Sequence, residues 1–212
     1  MSSTIQVDNI KDIGGNTIIS SDGSGTFTSN LSSNVSSATG TLPIANGGTG
    51  ATTLAAAGLT NTPRFLVTMS GNQTGLSDAA ITKASFNTEV FDSDSAYDTS
   101  NYKFTVPAGK AGVYYIYAKI DSSADAASQV RSMRTYIYLN GSEYSPSVSE
   151  QDPRDNYTLG GAFMAGTLMN LSVADYVEAY SRIDTQGGGT WNISSTFSVF
   201  GGYKLIWIIY QL

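Results

Sequence analysis

The chain is predicted to be all-β: a two-sheet sandwich head preceded by a thin N-terminal β/extended segment. Three observations carry that reading. The composition shifts along the chain, since Phe27 is the single aromatic residue within 1–62, whereas all 13 Tyr and both Trp follow residue 96. From Arg64 onward, short runs of β-branched and aromatic residues recur between Gly, Pro, Asn and Asp turn signals, the spacing of a sandwich or barrel. No stretch beyond Thr53–Ala57 has helical periodicity. The organisation is therefore an N-terminal segment over 1–41, a Gly-rich collar or linker over 42–63 and a head over 64–212.

The N-terminal segment begins with Ile5 and Val7 alternating around Gln6, followed by Ile10 and Ile13. Gly14-Gly15-Asn16 marks a turn, and Thr17-Ile18-Ile19 resumes a β-like run, so a short hairpin is expected. Asp22-Gly23-Ser24-Gly25 marks a second turn before Thr26-Phe27-Thr28. Strands this small are marginal in water and need a partner surface or further copies to bury them. Residues 29–41 are rich in Ser, Thr and Asn and read as extended linker. Pro43 then holds Leu42 extended, while Gly47, Gly48 and Gly50 permit positive φ and close backbone approach.

In the head, Phe65–Met69 is the first expected strand, and Glu89–Phe91 leads into a turn-rich loop at Asp92–Ser95. Tyr102–Val106 is stopped by Pro107-Ala108-Gly109, and Gly112–Ile120 is the strongest strand. Ser132–Leu139 ends at Asn140-Gly141, a hairpin signal. Asn156–Met169 alternates loosely through glycines, and Tyr176–Tyr180 follows a turn at Leu171–Asp175. Thr190–Phe200 and Tyr203–Tyr210 are expected as two last strands, split by Gly201-Gly202.

The totals restrict function. Charged residues are 13% of the chain and the net charge is −6, so the basic footprint that duplex binding requires is missing and no nucleic-acid partner is expected. With no Cys and no His there is no disulfide, thiolate metal site, Cys nucleophile or imidazole base. Met1–Ile5 has neither a basic nor an apolar signal region, and no apolar run nears the ~18 residues that cross a bilayer, so no membrane insertion is expected. Gly47-Gly48-Thr49-Gly50 lacks the Lys of a phosphate cradle, and no cofactor is expected.

Two resemblances narrow the reading. The run Leu42-Pro43-Ile44-Ala45-Asn46-Gly47-Gly48-Thr49-Gly50-Ala51-Thr52-Thr53 resembles the LP-x-x-NGGTGATT segment of bacteriophage tail fibres and related virion appendages. Ile5–Ile10 with Gly14-Gly15-Asn16 resembles the starts of fibre-like proteins from marine phages. Across the head, Tyr97–Ser100, Lys103–Pro107, Gly112–Ile116, Leu139-Asn140-Gly141, Ala174–Val177 and Ser194–Ser198 resemble, in order, the complement-type globular head, a jelly roll of the tumour-necrosis-factor superfamily. The resemblance implies a ten-stranded jelly roll assembled as a homotrimer. The chain departs from that pattern at Ile206–Leu212, which runs past the usual last strand, and it has no collagen repeat before the head.

These readings imply a non-enzymatic virion protein, a tail or capsid fibre at the particle surface, whose trimeric head binds a host-surface glycan or protein or stabilises the particle. Ile5, Val7, Ile10, Ile13, Ile18 and Ile19 are the expected anchor residues toward other virion proteins, and Asn46, Gly47, Gly48 and Gly50 the collar where three chains meet. In Val113–Ile120 the parity of Tyr114, Ile116, Ala118 and Ile120 is the expected core face, leaving Tyr115 and Tyr117 for a subunit interface. The loop 143–157 offers Tyr144, Asp152, Arg154 and Tyr157 as ligand contacts, with Trp191 at the end of a second loop. Carboxylates at Asp92/Asp94/Asp98, Asp121/Asp125 and Glu150/Asp152/Asp155 keep two alternatives open: a small polysaccharide hydrolase or calcium ligation. A third alternative is a decoration protein that contacts only other virion proteins.

Overall fold

The computed structural model describes residues 8–21, 27–29, 53, 60–125, 130–145, 148–151 and 159–206. The chain divides into two compact units, Met1–Ala57 and Gly58–Leu212. The first is an antiparallel sheet of β1 (Asn9–Lys11), β2 (Thr17–Ser21) and β3 (Phe27–Ser29). The expected turn joins β1 to β2: Gly15 takes φ +82°, and the Asp12 carboxylate accepts from the Asn16 backbone N–H (2.8 Å) and side-chain amide (2.9 Å). Ile10 and Ile13 expose their side chains here and Ile18 is half-buried. Ile5, Val7, the collar glycines and most of the expected helical turn after Thr53 lie outside the described residues.

The second unit has thirteen strands among the described residues: β4 (Arg64–Thr68), β5 (Gln73–Leu76), β6 (Thr82–Lys83), β7 (Thr88–Asp92), β8 (Tyr97–Asp98), β9 (Lys103–Thr105), β10 (Gly112–Ala124), β11 (Val130–Leu139), β12 (Ser142–Glu143), β13 (Ser149–Gln151), β14 (Gly160–Leu171), β15 (Tyr176–Thr185) and β16 (Trp191–Lys204). The first sheet runs β14-β10-β16-β4-β7, with β5 also on β16. The second runs β12-β11-β15-β9-β8, with β13 on β11 and β6 on β15. The long strands alternate between sheets from β9 to β16 through antiparallel ladders, the connectivity of a jelly roll. Asn140 (φ +51°) and Gly141 (φ +77°) turn β11 into β12 with positive φ at both turn positions, as the Asn-Gly signal requires.

The core forms between the inner faces, and β10 shows the two-residue period of a strand from Tyr114 to Ala124. On β10, Tyr114, Ile116, Ala118 and Ile120 are buried, as expected, while the alternate residues are only half-buried. Phe65 joins the layers. Its ring stacks on Phe104 of the second sheet at 4.6 Å and on Tyr97 at 5.5 Å, and meets Phe200 edge-on at 5.1 Å. The Tyr97 hydroxyl donates to the Phe86 carbonyl (2.9 Å) and the Tyr114 hydroxyl to the Lys110 carbonyl (2.6 Å), so both phenols enter the core with their polar ends satisfied.

Three expectations are corrected. Gly201-Gly202 does not split the last strand: β16 is continuous from Trp191 to Lys204. The glycines are there for space, because a Cβ on Gly202 would sit 2.5 Å from Ile116 Cδ1 and one on Gly201 2.8 Å from the Tyr117 hydroxyl. Trp191 is not a ligand platform. It begins β16 on the inward parity, is 0% exposed and donates its indole N–H to the Ser77 carbonyl at 2.8 Å. Tyr102 stands outside β9, in a turn with φ +52°.

Two outcomes follow. Gly202→Ala is expected to destabilise the head by about 1–3 kcal/mol through overpacking against Ile116, read as a lower urea midpoint with unchanged slope. Burial raises the phenol pKa of both Tyr97 and Tyr114 above the free value. The folded state therefore holds protons that the unfolded chain releases from about pH 10 upward, so stability is full below that pH and falls above it. Thermal midpoints are expected to be level from neutral pH to about pH 9 and to decline beyond about pH 10, with a shallower decline in Tyr97→Phe.

Candidate functional site

The outward parity of the first sheet forms one apolar, tyrosine-rich face. On β10 the Tyr115 and Tyr117 rings lie 5.8 Å apart and stack, and Tyr115 also meets Tyr203 of β16 at 5.8 Å. The rings lie flat because their neighbours lack side chains. Tyr115 covers Gly166 on β14, where a Cβ would be 2.9 Å from its hydroxyl, and Tyr117 covers Gly201. Leu168 and Met164 stand across from Tyr115 and Lys119, each 57% exposed. Desolvation is the main cause that raises the Tyr117 phenol pKa, with the neighbouring Tyr115 and Tyr203 adding to it. Leu168, Met164 and Tyr203 thus leave apolar surface exposed on this face.

Toward the β4–β7 margin of the same face, the surface sinks. A cavity of about 130 Å³ is lined by Asn61, Arg64, Phe65, Phe91, Tyr117, Gly202 and Tyr203. A larger one of about 450 Å³ adjoins it at Arg64 and Phe91 and extends over Asp92 and Ser93. The Arg64 backbone is fixed by an exchange with Ser93: its N–H donates to Ser93 Oγ and its carbonyl accepts from the Ser93 N–H, each at 3.0 Å. The guanidinium carbon lies 5.9 Å from the Phe91 ring centroid.

The outer face of the second sheet is built differently. Tyr138 and Tyr180 rings lie 4.1 Å apart, with Tyr136 beside Tyr138. Glu178 is buried and ion-paired with Lys83, and the Tyr180 hydroxyl donates to its other oxygen at 3.4 Å. Burial, then the Glu178 carboxylate, pushes the Tyr180 phenol up to about 12. Arg134 meets Glu150 (2.6 Å), Arg182 meets Asp184 (3.1 Å), Arg131 also meets Asp184 (3.6 Å), and Lys103 lies 4.7 Å over the Tyr176 ring. Lys83, Arg131, Arg134 and Arg182 each reach a carboxylate of the chain.

Several of the carboxylates singled out in the sequence are engaged within the chain, while Asp152 and Asp155 lie outside the described residues. Asp92 accepts from the Tyr97 and Asp94 N–H groups, Asp94 pairs with Lys110 (3.3 Å), and Asp98 accepts from Ser100 and Asn101. Asp125 accepts from Thr190 and Asn192, and Glu150 is taken by Arg134. Among the described residues no three or more Asp or Glu gather as a metal-holding group. Of the ligand-loop candidates, Tyr144 is half-buried against the core, and Asp152, Arg154 and Tyr157 lie outside the described residues. Reading the sequence missed Tyr203, Leu168 and Met164 on the tyrosine face, and Arg64 with Phe91 in the cavity. The alternation in Phe163–Met169 was the available signal, obscured by the glycines around it.

No family model matches the chain, and no curated protein matches it. Among solved structures it is similar to the globular domain of zebrafish complement 1qA, at 17% identity over 68% of this chain and 98% of that one, with a TM-score of 0.45. It is also similar to murine APRIL crystallised at pH 5.0, at 11% identity with the same coverages and a TM-score of 0.49.

Proposed function

We propose that the chain is a non-enzymatic structural protein of a virion appendage, a homotrimer whose head binds a host surface or stabilises the particle. The N-terminal segment attaches it to other virion proteins. The observation that carries self-association is the tyrosine face. Tyr203, Leu168 and Met164 expose apolar surface beside the half-buried rings of Tyr115 and Tyr117, on a sheet whose other side is already filled by the core. Covering it with further copies removes that surface from water and leaves phenol hydroxyls at the seam, where they retain hydrogen-bond partners. The virion assignment is supported by residues 42–53 and their likeness to appendage segments. A non-catalytic reading is supported by the engagement of Asp92, Asp94, Asp98 and Asp125 in loop structure.

Light scattering of the full chain is expected to give three times the 22.3 kDa chain mass. Tyr115→Ser combined with Tyr117→Ser is expected to give the single-chain mass while β circular dichroism persists; a trimer that survives both substitutions rejects this interface. Deleting residues 1–41 is expected to leave a folded head that no longer enters particles, and truncated protein found in purified virions would refute the anchor.

A further inference from the structure

We propose that the depression around Arg64 is a binding site for a carboxylate-bearing sugar ring. The first argument is charge. Of the described arginines, Arg131, Arg134 and Arg182 each have a carboxylate within 4.0 Å, whereas Arg64 has none. Asp92, the acidic residue that lines the larger cavity with Arg64, accepts from the Tyr97 and Asp94 N–H groups. A guanidinium is a planar fork of donors that matches a carboxylate through two parallel hydrogen bonds. Its backbone is tied down at Ser93, so the fork starts from a defined position.

The second argument is shape. Phe91 and Tyr203 are 46% and 37% exposed, and with Tyr117 they wall the cavity. Phe65 and Gly202 complete its lining. Rings around a shallow dent suit the apolar face of a sugar. The Asn61 amide and the Tyr117 and Tyr203 hydroxyls have no hydrogen-bond partner among the described residues and supply groups for sugar hydroxyls. The larger part, about 450 Å³, lies in the size range of small-molecule sites. A neutral sugar leaves Arg64 unmatched, and inorganic phosphate leaves the rings unused; an acidic sugar engages both. The site lies at the β4–β7 margin, at the opposite end of the sheet from Leu168 and Met164 on β14, and shares Tyr117 and Tyr203 with the tyrosine face, so it goes beyond the self-association reading and requires that these two hydroxyls stay open at the edge of the seam.

The test is titration of the full chain with glucuronate and galacturonate, with glucose, galactose and inorganic phosphate as controls, followed by calorimetry and amide-shift mapping. Saturable uronate binding is expected, with shifts at Asn61, Arg64, Phe91 and Gly202, and at least about tenfold weaker binding of each control, the factor of one lost charge-assisted hydrogen bond. Arg64→Gln and Phe91→Ala are each expected to weaken uronate binding by about tenfold or more, with thermal midpoint and light-scattering mass unchanged. Neutral sugars or phosphate binding as well as uronates would overturn the proposal, as would the absence of saturable shifts. So would an Arg64→Gln variant that changes oligomer mass in a protein that ignores uronates, since Arg64 would then serve a carboxylate of another copy. A trimer that ignores uronates rejects this inference alone; a monomer that binds them rejects self-association alone.

Discussion

The pleat of β10 sets the terms for the rest of the head. A strand must place successive side chains on opposite faces, and β10 carries bulky residues at nearly every position from Val113 to Ile120. Tyr114 and Ile116 therefore enter the core while Tyr115 and Tyr117 leave it, with no local freedom to do otherwise. A register slip of one residue would exchange the two sets. The slip is blocked on both flanks, because the glycines at 166 and 201 stand where the outward rings lie and Gly202 stands where Ile116 packs inward. The strand that builds the core thus also builds the exposed tyrosine face.

Charge is distributed in keeping with that division. The outer face of the second sheet pairs most of its cations internally, through Lys83–Glu178, Arg134–Glu150 and Arg182–Asp184. Such a surface has little electrostatic demand left for a partner. The first sheet is apolar in its middle and keeps an unmatched arginine at its margin, against Phe91 and Tyr203. Burial of an unmatched charge is costly, so Arg64 belongs where water or an anionic group reaches it, and the margin of the sheet provides that.

Much of the head is legible in the sequence where local rules decide alone. The parity of β10 followed from the two-residue period, and the β11–β12 hairpin from the need for positive φ at Asn140 and Gly141. Gly201-Gly202 misled for a physical reason. Glycine weakens a strand intrinsically, but the same absence of a side chain is required where Tyr117 and Ile116 approach the backbone from a neighbouring strand. Trp191 next to a glycine-rich loop resembled an exposed platform, yet the inward parity of β16 and the Ser77 carbonyl place it in the core.

The sequence by itself determined the all-β class, the shift between a polar N-terminal segment and an aromatic head, and which faces of the longest strands are apolar. Those properties are carried by composition and by a two-residue period, both of which act over a few residues. Only the tertiary structure decided that Tyr203, Leu168 and Met164 join Tyr115 and Tyr117 on one surface, and that Arg64, Phe91 and Tyr203 surround one cavity. These residues come from β4, β7, β10, β14 and β16, and their adjacency is set by sheet order and register. Strand order depends on pairings across as much as the span from Arg64 to Tyr203, which no local pattern encodes.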